Sequence, residues 1–96
     1  MASNFGILVH RNSDNLHLKL VGDFDGTSAH ELLHALEENC ASVGKIFVHT
    51  SCLRKICPLA QELFQKNLHI MKGHSYCLIF TGKNGTQIAP EGSRFL

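Results

Sequence analysis

Two groups of side chains in this sequence have types and spacings that could do chemistry. His30-Glu31-Leu32-Leu33-His34 fits H-E-x-x-H, in which two histidines one helical turn apart bind zinc and the glutamate serves as general base. Cys57 stands just before Pro58 and two residues beyond Lys55. A thiol at a helix N-cap beside a cation is activated, and Cys52, five residues earlier, could resolve an oxidised Cys57.

The zinc reading depends on the residues beyond His34. A catalytic site needs a third protein ligand and an open position. In the longer zinc-protease motif a glycine breaks the helix and a third histidine comes after it. Glu37 and Cys40 occupy those places, and nothing breaks the helix between them. Ser28 and Glu31 form a capping-box pattern, which gives Glu31 a structural task. At 3.6 residues per turn, Ala29, Leu32, Leu33, Leu36, Cys40 and Val43 share one face, with His30 and His34 on its wet flank. With seven histidines in 96 residues, a chance match is a real risk. The expectation is no metal site.

The other histidines, His10, His17, His49, His69 and His74, have no acidic partner at useful spacing, so no nucleophile–histidine–acid set can be assembled. Gly82-Lys83-Asn84-Gly85-Thr86 lacks phosphate-loop spacing and reads as a turn. The expectation is therefore a protein that is not an enzyme and carries no cofactor.

Ninety-six residues suffice for one domain, spanning 1–96. The formal net charge is +1, with lysines and arginines scattered, which argues against nucleic acid or an anionic membrane as partner. No apolar run approaches bilayer length, and residues 1–6 have no leader pattern. Cys40, Cys52, Cys57 and Cys77 lack C-x-x-C spacing and at least two read as core positions. Reduced thiols in a cytoplasmic protein are the expectation.

The positioning elements emerge from periodicity and punctuation. Residues 5–10 and 16–21 read as strands around an Arg11–Asn15 turn, with Leu16, Leu18 and Leu20 alternating inward. Residues 22–26 read as a turn into a helix over about 29–42. Residues 45–50 read as a strand and 51–57 as a loop, with Pro58 opening a second helix that ends at Gly73. Ala60, Leu63, Phe64, Ile70 and Met71 share its apolar face, and residues 76–81 form a further buried strand. Pro90 and Gly92 argue against a long last helix. The order is ββαβαβ with a short C-terminal tail: an α/β domain, a mixed sheet of about four strands covered by two main helices.

Two segments in this order resemble the STAS domain, the fold of bacterial anti-sigma-factor antagonists. Gly22-Asp23-Phe24-Asp25, then Ser28 and Leu32, resembles the family's G-E-L-D, capping threonine and leucine. Residues 46–56, IFVHTSCLRKI, resemble its apolar strand and the loop that leads to the phosphorylation site. The departures are specific. Cys57-Pro58-Leu59-Ala60 stands where the family has Asp-Ser-Ser-Gly, and Pro58 has no hydroxyl to phosphorylate; His49 replaces an aspartate at the end of the preceding strand. Ser51 matches a second phosphorylatable position of stressosome-type relatives. The chain ends about where a fifth strand would begin, which leaves an edge for a partner or a second copy, as in a homodimer.

The resemblance implies a regulatory, non-catalytic module of bacterial signalling and transcription control. Its protein partner, a kinase-like anti-sigma factor or other signalling protein, would dock on Asp23, Asp25, Ser51, Cys52, Arg54, Lys55, Cys57, Pro58, Gln61 and Glu62. Phosphorylation at Ser51, or oxidation of Cys57 with Cys52, would be alternative switches, although a buried, inert Cys57 is the plainer expectation. Two further readings stay open: a regulator of the same fold that binds a small molecule or nucleotide, and a zinc hydrolase using His30, Glu31 and His34.

Overall fold

A computed structural model describes residues 5–12, 14–39, 44–70, 78–89 and 94–95, with side chains except those of 68–70 and 94. The elements are β1 (Gly6–Arg11), β2 (Asn15–Phe24), α1 (Gly26–Asn39), β3 (Lys45–Ile56), α2 (Pro58–Ile70), β4 (Leu78–Thr81), α3 (Gly85–Ile88) and β5 (Arg94–Phe95). The strands form one sheet in the order β1-β2-β3-β4-β5. β1 pairs antiparallel with β2, and the remaining neighbours are parallel. This is the mixed sheet expected, with a two-residue strand from the tail added beside β4, so the C-terminal segment does supply a short fifth strand.

Successive right-handed crossovers running the same way across a sheet put their helices on one side. α1 and α2 accordingly pack together on one face. Leu16, Leu18 and Leu20 of β2, Ile46 and Val48 of β3, and Leu78 and Phe80 of β4 are buried against Ala29, Leu32, Leu33 and Leu36 of α1 and Ala60 and Phe64 of α2. Among the described side chains, both helical faces are as the periodicity predicts. Cys40, Val43, Met71, Gly73, His74, Cys77, Pro90 and Gly92 lie outside the described residues, as do the side chains of His69 and Ile70.

Three boundaries differ from the sequence reading. β2 runs on through Gly22 to Phe24, so no turn precedes α1 until Asp25. β3 continues to Ile56, so residues 51–56 are strand rather than loop. The pairing offset between β2 and β3 rises by one between Lys19↔His49 and Val21↔Cys52, and by one again between Gly22↔Leu53 and Asp23↔Lys55. Each step is a bulge, one extra residue on β3. Leu53 and Ile56 are three apart, a spacing that no regular strand can put on one face. The second bulge, at Arg54, turns both toward the helices, where Leu53 is buried and Ile56 packs on the core. Thirdly, the segment expected to be only a turn is a turn followed by the single-turn helix α3.

The cap of α1 is also reassigned. Asp25 is the capping residue: its Oδ1 accepts the Ser28 backbone N–H at 2.9 Å, and its carbonyl accepts the Ala29 N–H at 2.9 Å. Ser28 lies inside the first turn, fully buried, and its hydroxyl proton is shared between the Asp23 carbonyl at 2.8 Å and Asp25 Oδ1 at 2.9 Å. Glu31 is exposed and the Ser28–Glu31 capping box does not form, because the chain enters the helix three residues earlier than that pattern requires. Ser28→Ala removes the donor that ties the end of β2 to α1. It is expected to destabilise the fold by about 1–2 kcal/mol, read from the urea midpoint; an unchanged midpoint would show that the hydroxyl holds nothing.

Candidate functional site

The two continuing strands and the two helix N-termini meet at one end of the sheet. Phe24 and Ile56 are register partners at the ends of β2 and β3. The Cys57 N–H donates to the Phe24 carbonyl at 2.9 Å, which locks the start of α2 against the end of β2. The Gln61 N–H donates to the Cys57 carbonyl at 3.0 Å, so Cys57 is the N-cap position and Pro58 the first helical residue, as the sequence indicates. Between them is an open pocket of about 480 Å³ lined by Asp23, Phe24, Asp25, Lys55, Ile56 and Cys57. In parallel α/β sheets, the carboxyl ends of the strands are where ligands and partners are met.

The electrostatics of the pocket are set by its hydrogen bonds. Asp25 lies below the usual carboxylate range because the Ser28 backbone N–H, then the Ser28 hydroxyl, bond to its charged form. A depressed carboxylate contributes stability above its unfolded value and loses it as the pH falls through the folded one. Asp23 sits opposite Lys55 in register, yet its Oδ1 is buried and has no hydrogen-bond partner. A buried acceptor left unmade is costly, and a donor from outside reaches it only where docking shifts the pocket lining.

The structure therefore gathers Asp23, Asp25, Lys55 and Cys57 around one pocket. Pro58 and Glu62 are exposed on the first turns of α2, and Ser51, Cys52 and Arg54 are exposed along β3. Gln61 Nε2 donates to the Gln87 carbonyl at 2.6 Å and fastens the end of α3 to α2. Leu59 lies off the Ala60–Phe64 face; it is 74% exposed, an apolar side chain on the first turn of α2. Phe24 and Ile56, the apolar part of the pocket lining, are hidden in the sequence because their segments read as turn and loop.

The redox arrangement changes with β3. Cys57 is exposed rather than buried, and Cys52 lies on a paired strand rather than in a flexible loop. Five residues of strand span roughly 15 Å, far beyond the ~7 Å limit between the Cα atoms of a disulfide. Cys52 cannot resolve Cys57 without β3 coming apart. Ser51 is exposed, but its Oγ and N–H pack closely against Gly82.

The HELLH segment is a solvated helix face. His30, Glu31 and His34 are exposed, and His34 Nε2 lies 3.2 Å from Glu38 Oε2 in an exposed i, i+4 pair. Among the described residues no group of three or more His, Cys, Asp or Glu side chains is placed to hold a metal ion, and no helix is long and apolar enough to cross a membrane.

No protein-family profile and no curated protein matches the chain significantly. Solved structures do. An uncharacterized protein from the DUF3478 family with a SpoIIAA-like fold, from Shewanella loihica PV-4, superposes with a TM-score of 0.59. The match covers 100% of this chain and 90% of that one at 18% identity. The chain is thus an α/β domain with the SpoIIAA-like fold. That is the fold of STAS domains, as the two sequence segments indicate.

Proposed function

We propose that this domain is a non-catalytic regulatory module of bacterial signalling that docks a protein partner at the joined starts of α1 and α2. The observation that supports the reading is the open pocket where Asp23, with a buried and unpartnered carboxylate oxygen, stands beside Lys55, Cys57 and the first turn of α2. A partner presenting a donor to Asp23 and an acidic group to Lys55 and Arg54 would bury Leu59 between charged contacts, the arrangement of an interface anchor. A kinase-like anti-sigma factor is the partner class that the fold suggests. Pro58 removes the usual phosphorylatable position, so docking by this module is constitutive or switched by other means.

The test is affinity capture from lysate of the native host with the wild type and an Arg54→Glu, Lys55→Glu variant, followed by mass spectrometry. The expected result is a kinase-like or other signalling protein held by the wild type and reduced at least about tenfold in the variant. Equal capture by both would move the interface elsewhere. Capture of nothing, together with a nucleotide that raises the melting temperature, would replace the reading with that of a ligand-binding regulator.

A further inference from the structure

The sheet face opposite the helices is a separate surface with its own chemistry. Register sets His10 of β1 opposite His17 of β2, Phe47 of β3 opposite His17, and Lys19 of β2 between Leu8 and His49. Thr81 of β4 lies opposite His49, and Lys45 opposite Asn15. The rings of His17 and Phe47 stack at 4.8 Å with 10° between their planes. His17 Nδ1 lies 2.9 Å from His49 Nε2, and His49 Nδ1 lies 2.6 Å from Thr81 Oγ1. The two imidazoles are within 5° of parallel with centroids 5.1 Å apart. Because 2.9 Å is shorter than the ~3.5 Å contact of stacked faces, they meet edge to edge in a hydrogen bond, one ring donating and the other accepting.

This chain of side chains links a hydroxyl to two imidazoles, but the ladder takes up the backbone N–H groups of β2 and β3 that an oxyanion would need. Its charge says more. Lys19 and Lys45 are exposed there, with His10 beside them, and the surrounding Leu8, Asn15, Phe47, Ile79 and Thr81 are uncharged. The carboxylates on β2 or leading into it are Asp14, at the start beside Gly44, and Asp23, near the far end. Glu31, Glu37, Glu38 and Glu62 are exposed on the helices of the opposite side, against one exposed cation there among the described residues, Lys66. A net charge of +1 therefore conceals a basic sheet face and an acidic helical one.

We propose that the open sheet face is a second binding surface, that it takes a short acidic protein segment, and that Lys19, His17 and His49 hold the carboxylates of that segment. Charge complementarity selects the sign of the partner. The acidic helices on the other side repel a long polyanion that overhangs the face, whereas a short segment stays within it. Burial, the neighbouring His17 and Lys19 together hold His49 below the usual imidazole value, so it is neutral in the free protein near pH 7. A carboxylate at the pair favours the charged form, and binding then takes up a proton. The His17–His49 hydrogen bond admits one added proton, because two imidazolium rings would face each other with donors only. Acid therefore strengthens the complex, through one proton.

The experiment uses the whole chain, a fluorescent hexaglutamate peptide and a single-stranded oligothymidylate of equal charge, with anisotropy read between pH 8 and pH 6 at about 0.15 M salt, where a Debye length of about 8 Å keeps distant charges from acting on the site. The peptide is expected to bind, with affinity rising about tenfold as the pH falls across that window. Lys19→Glu should weaken binding at least about fivefold at every pH. His17→Phe, with unchanged circular dichroism, should flatten the pH dependence. The Arg54→Glu, Lys55→Glu variant should bind the peptide as the wild type does, which separates this surface from the pocket at α2. No binding, a pH-independent affinity, loss of binding in the Arg54/Lys55 variant, or tighter binding of the oligonucleotide would each overturn the proposal.

Discussion

Phe64→Ala is expected to lower the stability of the domain by about 4 kcal/mol. Phe64 is fully buried on the inner face of α2 and meets Phe24 at 5.9 Å and 85° and Phe80 at 6.4 Å and 82°, both edge to face. Phe5 extends the row, 6.2 Å from Phe24 at 66°. The ring of Phe64 is thus the link between a helix and two strands, and its removal breaks two favourable ring geometries besides leaving a cavity. Against a total of ~5–15 kcal/mol for a domain of this size, that loss is a large share. Phe24 also lines the pocket at the starts of α1 and α2, so α2 and the pocket loosen together, and affinity for the proposed partner should fall with stability. Urea unfolding of the variant, beside Phe64→Leu, gives the measurement. The leucine variant should lose about 1–2 kcal/mol, and an alanine variant that loses less than that would show that α2 collapses onto the gap.

How much of the fold and the site is legible in the sequence depends on which backbone regularities the side chains obey. The inward sets of β2, α1 and α2 keep to periods of 2.0 and 3.6, so Leu16, Leu18, Leu20, Leu32, Leu36 and Phe64 can be placed in the core directly. Residues 51–56 cannot, because two bulges shift the alternation and leave Leu53 and Ile56 looking like scattered apolar residues of a loop. Asp25 outcompetes Ser28 as the cap for a reason that no local pattern shows: Ser28 is drawn inward by the Asp23 carbonyl, which is in place only because β2 continues past Gly22. Most of the pocket is legible, since the family pattern marks Asp23, Asp25, Lys55 and Cys57. The histidine surface is invisible. His17 and His49 are 32 residues apart and become neighbours only when β2 and β3 pair. Scattered lysines likewise reveal a basic face only after the crossovers have sent the glutamate-bearing helices to the other side.

Gly82→Ala is the second large effect expected, about 2–4 kcal/mol of destabilisation. Gly82 adopts φ +95°, where a side chain strains the backbone by itself. A Cβ there would also lie 2.6 Å from Ser51 Oγ, 2.8 Å from the Ser51 backbone nitrogen and 2.8 Å from Thr50 Oγ1. Ser51 Oγ can rotate away, but the Ser51 nitrogen belongs to β3, and Thr50 Oγ1 is held by its 2.7 Å bond to the Thr81 carbonyl. The clash therefore falls on the first bulge, where β4 has ended and side chains replace the missing strand. Asn84 Nδ2 donates to the Thr50 carbonyl at 2.9 Å there, which caps the exposed edge of β3 from the turn that Gly82 opens. Displacing this turn should loosen residues 50–53, the stretch that carries Ser51 and Cys52 toward the pocket. Amide hydrogen exchange would read the effect by position: faster exchange in β3 beyond His49, with the α1-facing part of β2 protected as before. A Gly82→Ala protein with unchanged stability and exchange would mean that the turn relaxes to negative φ, and that Asn84 rather than Gly82 is what fixes the end of β3.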